Sequence, residues 1–494
     1  MTGLSKSRIA AFEQCPRRLW LKVHSPEAGE IGAVQERIQQ AGHDVGDLAC
    51  AQYPGGIMVE AVPNLAAAVR QTRELIEADH GGPIFEATFA HEGVVVRADI
   101  LLPDGTGGWQ VIEVKSSSQV KDHYCGDLAT QVWVMEQAGL KITSAAIQHL
   151  DGDFVLTRPG DYNGLFKRAE LSDYIRDIVA SRDELAIRAR DMLTSDEPVC
   201  ATGRHCKKPV SCEFIAWCAS TEPAAPEWPV TILPRRGGEK WQKQGIDDLL
   251  HLDEAVLSRK HADIVSATRT GVPFHDAVGA SRAMEAWTWP RAWLDFETIA
   301  FAVPRWLGTS PYQQIPFQFS LHVEAEDGTI THHEFLDLTG TDPREACARA
   351  LLDMIPAEAT VIAYHASFEK GVVRDLALAF PDLAHGLNGI AARTVDLLPI
   401  TREHWYHRDQ RGSWSIKQVL PTISALDYSV LEVKDGGEAQ AAYLEAISLQ
   451  TTDGRRSILD EVLRTYCEQD TWAMILVARA LTSRGKCIPA APQQ

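Results

Sequence analysis

Apolar and polar residues alternate along two stretches in the first half of the chain. Residues 94–102 and 109–115 place apolar side chains at nearly every second position, and the glycine-rich residues 103–108 between them are typical of a turn. This pattern predicts a β-hairpin within a strand-rich region over 84–115. A helical pattern follows over about 127–137, so the sequence predicts a domain that mixes strands and helices.

A second region of the same kind occupies the last 200 residues or so of the chain. The predicted elements are, in chain order, strands over 291–298, 316–324 and 327–338, a helix over 343–355, a strand over 359–365 and a long helix over 456–483. The first three strands read as a meander. The fold class expected from the whole pattern is therefore mixed α/β.

A segment of different composition separates the two regions. Residues 220–229 contain three prolines, which indicates a boundary. Between 221 and 290 apolar residues recur at helical spacing, for example over 245–268, which predicts a mostly helical linker. We expect this linker to join domains over 1–220 and 291–485.

The composition is that of a globular protein with several cores. A chain of 494 residues is too long for a single core, and 45% hydrophobic with 23% charged residues is ordinary for a soluble protein. No apolar stretch reaches the roughly 18 residues that span a bilayer. The first residues also lack the apolar core of a signal peptide. We therefore expect a cytoplasmic protein without a membrane partner.

The formal net charge of −19 argues only weakly against nucleic acid as a partner. Binding depends on local basic patches, and metal-dependent nucleases concentrate acids in their sites. The basic clusters in the sequence are Arg17 with Arg18, Arg204 with Lys207 and Lys208, and Arg235 with Arg236. Each cluster is as consistent with an ordinary solvated surface as with a phosphate contact.

Two pairs of polar residues stand at the spacings of the predicted elements. Asp295 and Glu297 share one face of a strand, because alternate strand residues point the same way. Tyr466 and Asp470 are neighbours on a helix, because residues four apart lie one above the other. Acids forced together are explained best by divalent cations, and two such cations can drive phosphodiester cleavage. The pattern indicates a nuclease site.

Together with Glu369, which follows the strand over 359–365, these residues resemble the DnaQ-like, four-acid (DEDD) 3′–5′ exonucleases of RNase H-like fold. The resemblance covers roughly 293–479. It implies two Mg²⁺ or Mn²⁺ ions held by Asp295, Glu297, Glu369 and Asp470. It also implies that Tyr466 orients the attacking water. That family usually presents Asp where this chain has Glu369, so Asp375 and Asp396 stay open as alternative ligands.

The hairpin of the first domain carries a second candidate centre. Glu113 and Lys115 share a strand face, and Asp99 lies on the neighbouring strand. Two carboxylates can bind a divalent ion, while a lysine beside them stabilises the phosphate in the transition state. This strand–turn–strand context resembles the core of PD-(D/E)xK nucleases. The resemblance implies Asp99 and Glu113 as metal ligands and Lys115 as a catalytic residue.

Three further residues follow from the resemblance to RecB-like members of that group. Gln131 stands where those proteins place the glutamine of a Gln-x-x-x-Tyr element, which implies a catalytic role, but Met135 replaces the tyrosine. His43 matches a helix histidine that supplies a further metal ligand. Glu86, on the preceding strand, is a weaker candidate.

Four of the ten cysteines fall within residues 200–218. Disulfides are improbable in a cytosolic chain, and this density indicates metal or cluster ligation. The pattern resembles AddB-like and CRISPR-associated RecB-like nucleases, which implies a 4Fe–4S cluster bound by Cys15, Cys206, Cys212 and Cys218. The gap between the second and third of these differs from the usual one, so Cys200 is an alternative ligand. A structural zinc ion with four thiolates, or unconnected buried cysteines, also stays open.

The chain as a whole resembles an uncharacterised bacterial family that fuses a restriction-endonuclease-like RecB/AddB nuclease to a DnaQ-like exonuclease. The resemblance implies a two-site, metal-dependent nuclease acting on DNA that is single-stranded or has a 3′ end, in repair, recombination or defence. An RNA-processing exonuclease and a nucleic-acid-binding protein with one degenerate site are the alternatives. Residues 239–249 faintly resemble a DNA-binding helix-hairpin-helix, although a spacer is the simpler interpretation. The residues do not identify a helicase or other partner.

Overall fold

The computed structural model describes residues 3–30, 33–426, 428 and 431–483. The chain divides into two compact units, each of which mixes helices and strands, so the mixed α/β class is confirmed. The first unit comprises Met1–Pro223 together with Phe301–Gln313, and the second comprises Ala224–Ala300 together with Gln314–Gln494. None of the described helices combines the length and apolar character needed to cross a bilayer.

The first unit is built on one seven-stranded sheet. Its strands are β1 (Leu4–Ser5), β2 (Ile57–Met58), β3 (Ile84–His91), β4 (Val94–Pro103), β5 (Trp109–Lys115), β6 (Ile142–Leu150) and β7 (Phe166–Glu170). Its helices are α1 (Lys6–Gln14), α2 (Pro16–His24), α3 (Ala33–Ala51), α4 (Leu65–Glu77), α5 (Asp122–Gln137), α6 (Ser172–Ala180), α7 (Arg182–Leu193) and α8 (Ile215–Thr221). The strand order is β2-β3-β4-β5-β6-β7, with β1 paired to β4.

The predicted hairpin is confirmed as β4 and β5, which pair antiparallel. Strand β3 is antiparallel to β4, whereas β6, which follows α5, is parallel to β5. Alternate residues of β4, such as Val96 and Ala98, join Leu128 and Trp133 of α5 in the core of the unit. Helix α5 begins at Asp122, earlier than the apolar pattern predicts, because its first turn is largely polar and Asp122 suits the positive end of the helix dipole.

The segment Phe301–Gln313 contributes to the first unit although it lies far along the chain. Its Ala302 is buried in a small core with Val45, Leu150 and Leu165. The backbone amide of Leu156 donates a hydrogen bond to the carbonyl of Thr309, at 3.0 Å. This segment therefore completes the packing of the unit rather than forming an exposed loop.

The second unit contains a five-stranded sheet and a separate pair of short strands. Its strands are β8 (Phe274–His275), β9 (Arg291–Ile299), β10 (Ile315–Glu324), β11 (Ile330–Leu336), β12 (Thr360–Ala363), β13 (Thr394–Asp396) and β14 (Trp405–Tyr406). Its helices are α9 (Glu239–Gln242), α10 (Arg259–Thr270), α11 (Ala277–Ala283), α12 (Arg344–Met354), α13 (Ser367–Ala379), α14 (Ala384–Arg393), α15 (Leu397–His404), α16 (Ile416–Val419), α17 (Gly436–Ala446) and α18 (Asp453–Thr482).

The five-stranded sheet has the order β11-β10-β9-β12-β13. Strands β9, β10 and β11 form the predicted antiparallel meander, and β12 and β13 run parallel to β9. Successive residues of β9 enter different cores: Trp293 packs with residues of α18, whereas Leu294 and Phe296 pack with residues of α12 and α13. Since Asp295 and Glu297 alternate with these apolar residues, β9 directs both acids to the face of the sheet that α18 covers.

The stretch over 245–268, whose apolar spacing predicts helical structure, is α-helical only in its second half. Residues Leu249–His251 and Glu254–Val256 form short 3-10 turns, and helix α10 begins only at Arg259. The side chains of Asp248 and Asp253 accept hydrogen bonds from backbone amides two residues further on, at 2.8 and 3.0 Å. Such local bonds compete with a continuous helix, and the apolar spacing does not reveal them.

The faint helix-hairpin-helix resemblance over 239–249 is also not supported. Helix α9 is a single turn of four residues, Gly245 follows in the left-handed region with φ of 77°, and a 3-10 turn begins at Leu249. A pair of packed helices is therefore absent from 239–249, all of which the structure describes.

We expect Phe317→Ala to destabilise the second unit by about 3–5 kcal/mol, because it removes a fully buried ring and leaves a cavity. The Phe317 ring stacks on Tyr443 with centroids 4.0 Å apart. Urea unfolding monitored by circular dichroism measures the change. Leu378→Ala, which truncates a side chain that is 80% exposed, is the matched control and should change stability by no more than about 0.5 kcal/mol. Equal effects of the two substitutions would contradict this packing.

Candidate metal-binding active sites

A cavity of about 420 Å³ in the second unit is lined by acids from three elements. Asp295 and Glu297 come from β9, Glu369 from the first turn of α13, and Tyr466 and Asp470 from adjacent turns of α18. The structure thus brings together all five residues that the sequence nominates for this centre. They meet because β9, α13 and α18 pack around the same end of the sheet.

The carboxylates are close enough to share cations. One oxygen each of Asp295, Glu297 and Asp470 lie within 4.8 Å of one another. Glu369 is outside that trio but lines the same cavity, and its Oε2 atom is buried without a hydrogen-bond partner among the described residues. A buried, unpartnered carboxylate oxygen is costly in the absence of a cation. These donors fit hard divalent ions such as Mg²⁺ or Mn²⁺.

The two alternative ligands suggested by the sequence, Asp375 and Asp396, do not line this cavity. The Oδ1 atom of Asp396 accepts hydrogen bonds from the backbone amides of His365 and Leu398, at 2.9 and 3.0 Å, and so caps helix α15. Asp375 is six residues further along α13 than Glu369 and does not line the cavity. Of the three candidates, only Glu369 does.

Crowding makes these carboxylates hard to ionise. Burial, reinforced by the negative charges of Asp470, Glu369 and Glu297, raises the pKa of Asp295 well above its usual range. Burial followed by the charge of Asp470 raises the pKa of Glu297 to about 8, and burial raises the pKa of Glu369 to about 8. The pKa of Asp470 is also raised by burial. Positive charge in the cavity would reverse these shifts.

Two polar residues in this cavity region were not nominated from the sequence. Lys417 donates a hydrogen bond from Nζ to the Tyr466 hydroxyl at 2.8 Å, and its ammonium lies over the Tyr466 ring. The Tyr428 hydroxyl donates to Oδ1 of Asp470 at 2.6 Å. Lys417 belongs to the short helix α16, and Tyr428 follows it along the chain. Neither stands at a regular spacing from the acids, so no sequence signal identifies them.

The hairpin of the first unit forms a second polar centre. Asp99 on β4 accepts a hydrogen bond from the amide of Val114 at 2.6 Å. Glu113 on β5 is buried, and its Oε1 accepts hydrogen bonds from Lys115 at 2.7 Å and from Lys6 at 2.6 Å. The structure therefore brings Glu113 and Lys115 into contact as expected and adds Lys6, from the start of α1.

The two carboxylates of this centre respond differently to burial. Burial and the charge of Glu113 raise the pKa of Asp99 to about 7. Burial also acts to raise the pKa of Glu113, but the adjacent ammonium groups of Lys115 and Lys6 outweigh it and hold that pKa below its usual range. Neighbouring carboxylates whose pKa values are shifted in opposite directions are typical of functional sites.

Helix α5 supplies the remaining contacts. Gln131 is buried and donates a hydrogen bond from Nε2 to Oε2 of Glu113. Asp127 accepts a hydrogen bond from Lys115 at 3.0 Å, and the Lys115 ammonium lies 4.9 Å from the centroid of the Tyr124 ring. Met135, where a tyrosine is usual, is in the hydrophobic core. Tyr124 therefore lies beside Lys115, but it belongs to an earlier turn of α5 than Met135.

The remaining nominations, His43 and Glu86, differ in their relation to this centre. His43 is exposed on α3, and no hydrogen bond among the described residues connects it with Asp99 or Glu113. Glu86 lies on β3 between the residues that pair with the two neighbours of Asp99 on β4, and its negative charge helps to raise the pKa of Asp99. Glu86 forms an ion pair with Arg97 at 3.0 Å. Its φ of 53° is unusual for a strand residue.

A third candidate site gathers cysteines in the first unit. One cavity is lined by Cys15, Cys200, Cys206, Cys212 and Cys218. This set includes the four nominated ligands and the alternative. Cys15 precedes α2, Cys218 lies in α8, and the backbone amide of Cys212 donates to the carbonyl of Cys206 at 2.8 Å.

His205 adds an imidazole that the cysteine spacing does not reveal. Its Nε2 atom lies 3.5 Å from Sγ of Cys200 and 3.5 Å from Sγ of Cys206. Single ligand atoms of Cys15, Cys200 and His205 lie within 4.8 Å of one another. Thiolate-rich donors suit an iron–sulfur cluster or zinc, and the set fits both. Five cysteines and one histidine exceed the four ligands that a cluster or a zinc ion needs.

Comparison with known proteins adds one match. Residues 292–415 match the family described as a domain of unknown function, DUF2779. The matched range contains Asp295, Glu297 and Glu369 and ends before Lys417. No curated protein matches the chain.

The metal-free second unit should lose stability as pH rises from about 4.5 to about 8. Glu297 and Glu369 have an ordinary pKa of 4.5 and a folded-state pKa of about 8, so the folded state binds more protons in this window and loses that advantage as pH rises through 8. Glu297→Gln should therefore raise stability at pH 8 by more than about 1 kcal/mol, the value of one pKa unit. Urea unfolding at pH 5 and pH 8 with EDTA measures this difference.

Exposed Glu326→Gln is the control for that measurement and should leave the pH dependence unchanged. Mg²⁺ added at pH 8 should restore the stability of the wild-type protein, because a cation replaces the protons. A wild-type protein that is more stable at pH 8 than at pH 5 without metal would contradict the raised pKa values.

Proposed function

We propose that this protein is a metal-dependent nuclease with two phosphodiester-hydrolysing sites, one in each unit. The second unit is proposed to be a DnaQ-like 3′–5′ exonuclease, and the first a RecB-like nuclease of the PD-(D/E)xK type. DNA is the proposed substrate, single-stranded or with a 3′ end. DNA repair, recombination and defence are all compatible processes.

The observation that carries this proposal is the crowding of Asp295, Glu297, Glu369 and Asp470 around one cavity. Four ionised carboxylates at one place repel one another and destabilise a fold unless positive charge is present. Lys417 supplies a single positive charge and points to Tyr466 rather than bonding to a carboxylate. Two divalent cations would balance the acids, and a phosphodiester is the substrate class that two such cations act on.

The strand order supports the finer architecture of the second unit. Strands β9, β10 and β11 form an antiparallel meander, and β12 and β13 follow in parallel on the other side of β9. This is the order expected of an RNase H-like domain. In such an arrangement the central strand, here β9, carries the first two acids, which agrees with the positions of Asp295 and Glu297.

Each residue of this site would have a separate role in the reaction. Bound divalent cations would activate a water and stabilise the leaving 3′ oxygen. Tyr466 would hold the attacking water in line, and its hydroxyl is itself held by Lys417. Lys417 would also place positive charge near the phosphate as negative charge develops there. Tyr428 would fix the orientation of the Asp470 carboxylate through its hydrogen bond.

The first unit supports a restriction-endonuclease-like architecture. The succession β3-β4-β5-α5-β6 gives three antiparallel strands, a helix and a strand parallel to β5. Asp99, Glu113 and Lys115 lie on the two central strands of this group. In the proposed reaction Asp99 and Glu113 would bind a divalent ion. Lys115 would stabilise the phosphate, and Gln131 would orient the Glu113 carboxylate.

The cysteine cavity is proposed to hold a 4Fe–4S cluster, with structural zinc as the alternative. Cys15 immediately precedes α2 and Cys218 lies in α8, far apart in the sequence, so a bound cluster would tie these two parts of the first unit together. Closing the long loop between Cys15 and Cys218 would stabilise the fold by restricting the unfolded chain. The role proposed for this group is therefore structural.

Separate substitutions should inactivate the two proposed sites independently. Asp295→Asn should reduce release of nucleotides from a 3′ end by at least about 100-fold, because it removes a group that binds the transition state through cations. It should not lower the melting temperature of the metal-free protein, since it removes a repelling charge. Lys115→Ala should have a comparable effect on cleavage by the first unit. The assay uses end-labelled single- and double-stranded DNA, and RNA of the same sequence, with Mg²⁺ or Mn²⁺.

Exposed Asp353→Asn and Lys121→Ala are the matched controls and should cleave like the wild type. Loss of activity in one variant alone would assign the whole activity to that unit. Preference for RNA would change the proposed substrate but not the chemistry. If neither Asp295→Asn nor Lys115→Ala lowers metal-dependent cleavage, the two-site nuclease is the wrong function.

Anaerobically purified protein should be brown and absorb broadly at about 400 nm. It should contain about 4 Fe per chain. Cys218→Ser should lose most of the iron, because a thiolate ligand is removed. Cys50→Ser, outside the cysteine cavity, should keep it. Iron and zinc are measured by elemental analysis alongside the absorption spectrum. A colourless protein with stoichiometric zinc would establish the alternative instead.

A further inference from the structure

A second group of metal-ligating side chains lies beneath α18, apart from the four acids. His322 on β10, His332 on β11 and Glu468 on α18 each offer one ligand atom, and these atoms lie within 4.8 Å of one another. The two histidines are directly opposite in the register of the antiparallel pair. Their rings stack with centroids 4.5 Å apart. Neither residue belongs to the carboxylate cavity.

Hydroxyl groups orient both imidazole rings. Oγ of Ser320 lies 3.0 Å from Nε2 of His332, and Oγ1 of Thr471 lies 2.8 Å from Nδ1 of His322. The two hydroxyls are themselves hydrogen-bonded at 2.8 Å. The other nitrogen of each ring, Nε2 of His322 and Nδ1 of His332, makes no hydrogen bond to a described residue. Histidine ligands are typically fixed in this way, through a hydrogen bond on the nitrogen that does not bind the metal.

The environment keeps His322 ready to bind a cation. Burial, followed by the neighbouring His332 and His333, lowers the pKa of His322 to about 3, so its ring is neutral at pH 7. A neutral imidazole is the form that coordinates metals. The side chains of His332 and Glu468 are 25% and 51% exposed, and their closest atoms, Nδ1 and Oε1, are 3.8 Å apart. The group is therefore open to solvent on one side.

We propose that His322, His332 and Glu468 bind one transition-metal ion, with Zn²⁺ as the expected ion. Two imidazoles and one carboxylate favour Zn²⁺ over Mg²⁺, which prefers oxygen ligands and keeps its waters. Bonds of about 2.1 Å place tetrahedral ligands about 3.4 Å apart, so the present ligand atoms need to approach by roughly 1 Å. The exposed Glu468 side chain can rotate to do this.

The position of the site gives the ion a positioning role. Glu468 lies between Tyr466 and Asp470 along α18, and Ser320 is the cross-strand partner of Asp295. An ion held by β10, β11 and α18 would fasten the helix to the strands and so restrict the two α18 residues of the carboxylate cavity. Binding of this ion does not require nuclease activity.

The test is zinc stoichiometry of the full-length protein. Wild type, His332→Ala, Glu468→Gln and His333→Ala are equilibrated with Zn²⁺ in excess Mg²⁺, desalted and analysed for bound zinc. His332→Ala and Glu468→Gln should each bind one ion fewer per chain than the wild type. His333→Ala alters the neighbouring histidine, whose ring nitrogen hydrogen-bonds Thr331 and is not one of the proposed ligands, and should bind the wild-type number. The cysteine cavity contributes the same background to all four proteins.

A second measurement separates this site from the cysteines. Co²⁺ bound to nitrogen and oxygen ligands lacks thiolate charge-transfer absorption, so the difference spectrum between wild type and Glu468→Gln should contain only weak visible bands. Glu468 is half-exposed, so this variant should fold even if His332→Ala does not. Equal zinc content in wild type and both ligand variants overturns the proposal, and so does an equal loss in His333→Ala.

Discussion

Repulsion between buried carboxylates is the constraint around which the second unit is organised. Strand β9 alternates Trp293 and Asp295 on one face with Leu294 and Phe296 on the other, so its apolar residues fix the strand between two cores and its acids cannot turn away. Helix α18 then lays Asp470 over the same place. Burial of apolar side chains in the two cores stabilises this clustering of carboxylates, which their mutual repulsion disfavours. Unfavourable charge crowding of this kind is typical of functional sites, where local stability is given up for chemistry.

Regular spacing determined how much of this site the sequence could predict. A period of two joins Asp295 to Glu297, and a period of four joins Tyr466 to Asp470, so both pairs follow from local geometry alone. Glu369 required the resemblance, since nothing local links it to the others. Lys417 and Tyr428 reach the region from segments without such periodicity, and only tertiary packing brings them there.

The departure from the helical prediction over 245–258 also results from polar contacts that regular spacing does not reveal. Residues 245–258 carry helical spacing, yet the side chains of Asp248 and Asp253 bind nearby backbone amides and close short turns. His205 likewise joins the cysteines through a turn that the cysteine count does not indicate. Apolar periodicity reports burial along one element. It carries little information on polar side chains whose partners are set by backbone turns or by distant elements.

The contribution of Phe301–Gln313 to the first unit changes how this protein can be divided. A fragment ending at Pro223 would lack Ala302, leaving Val45, Leu150 and Leu165 uncovered. Removal of the same segment from the second unit would instead require only a new connection from β9 to β10, which already pair as an antiparallel hairpin. The second unit is therefore the natural choice for isolation as a shortened chain. For the first unit, a fused copy of the missing segment is the appropriate design.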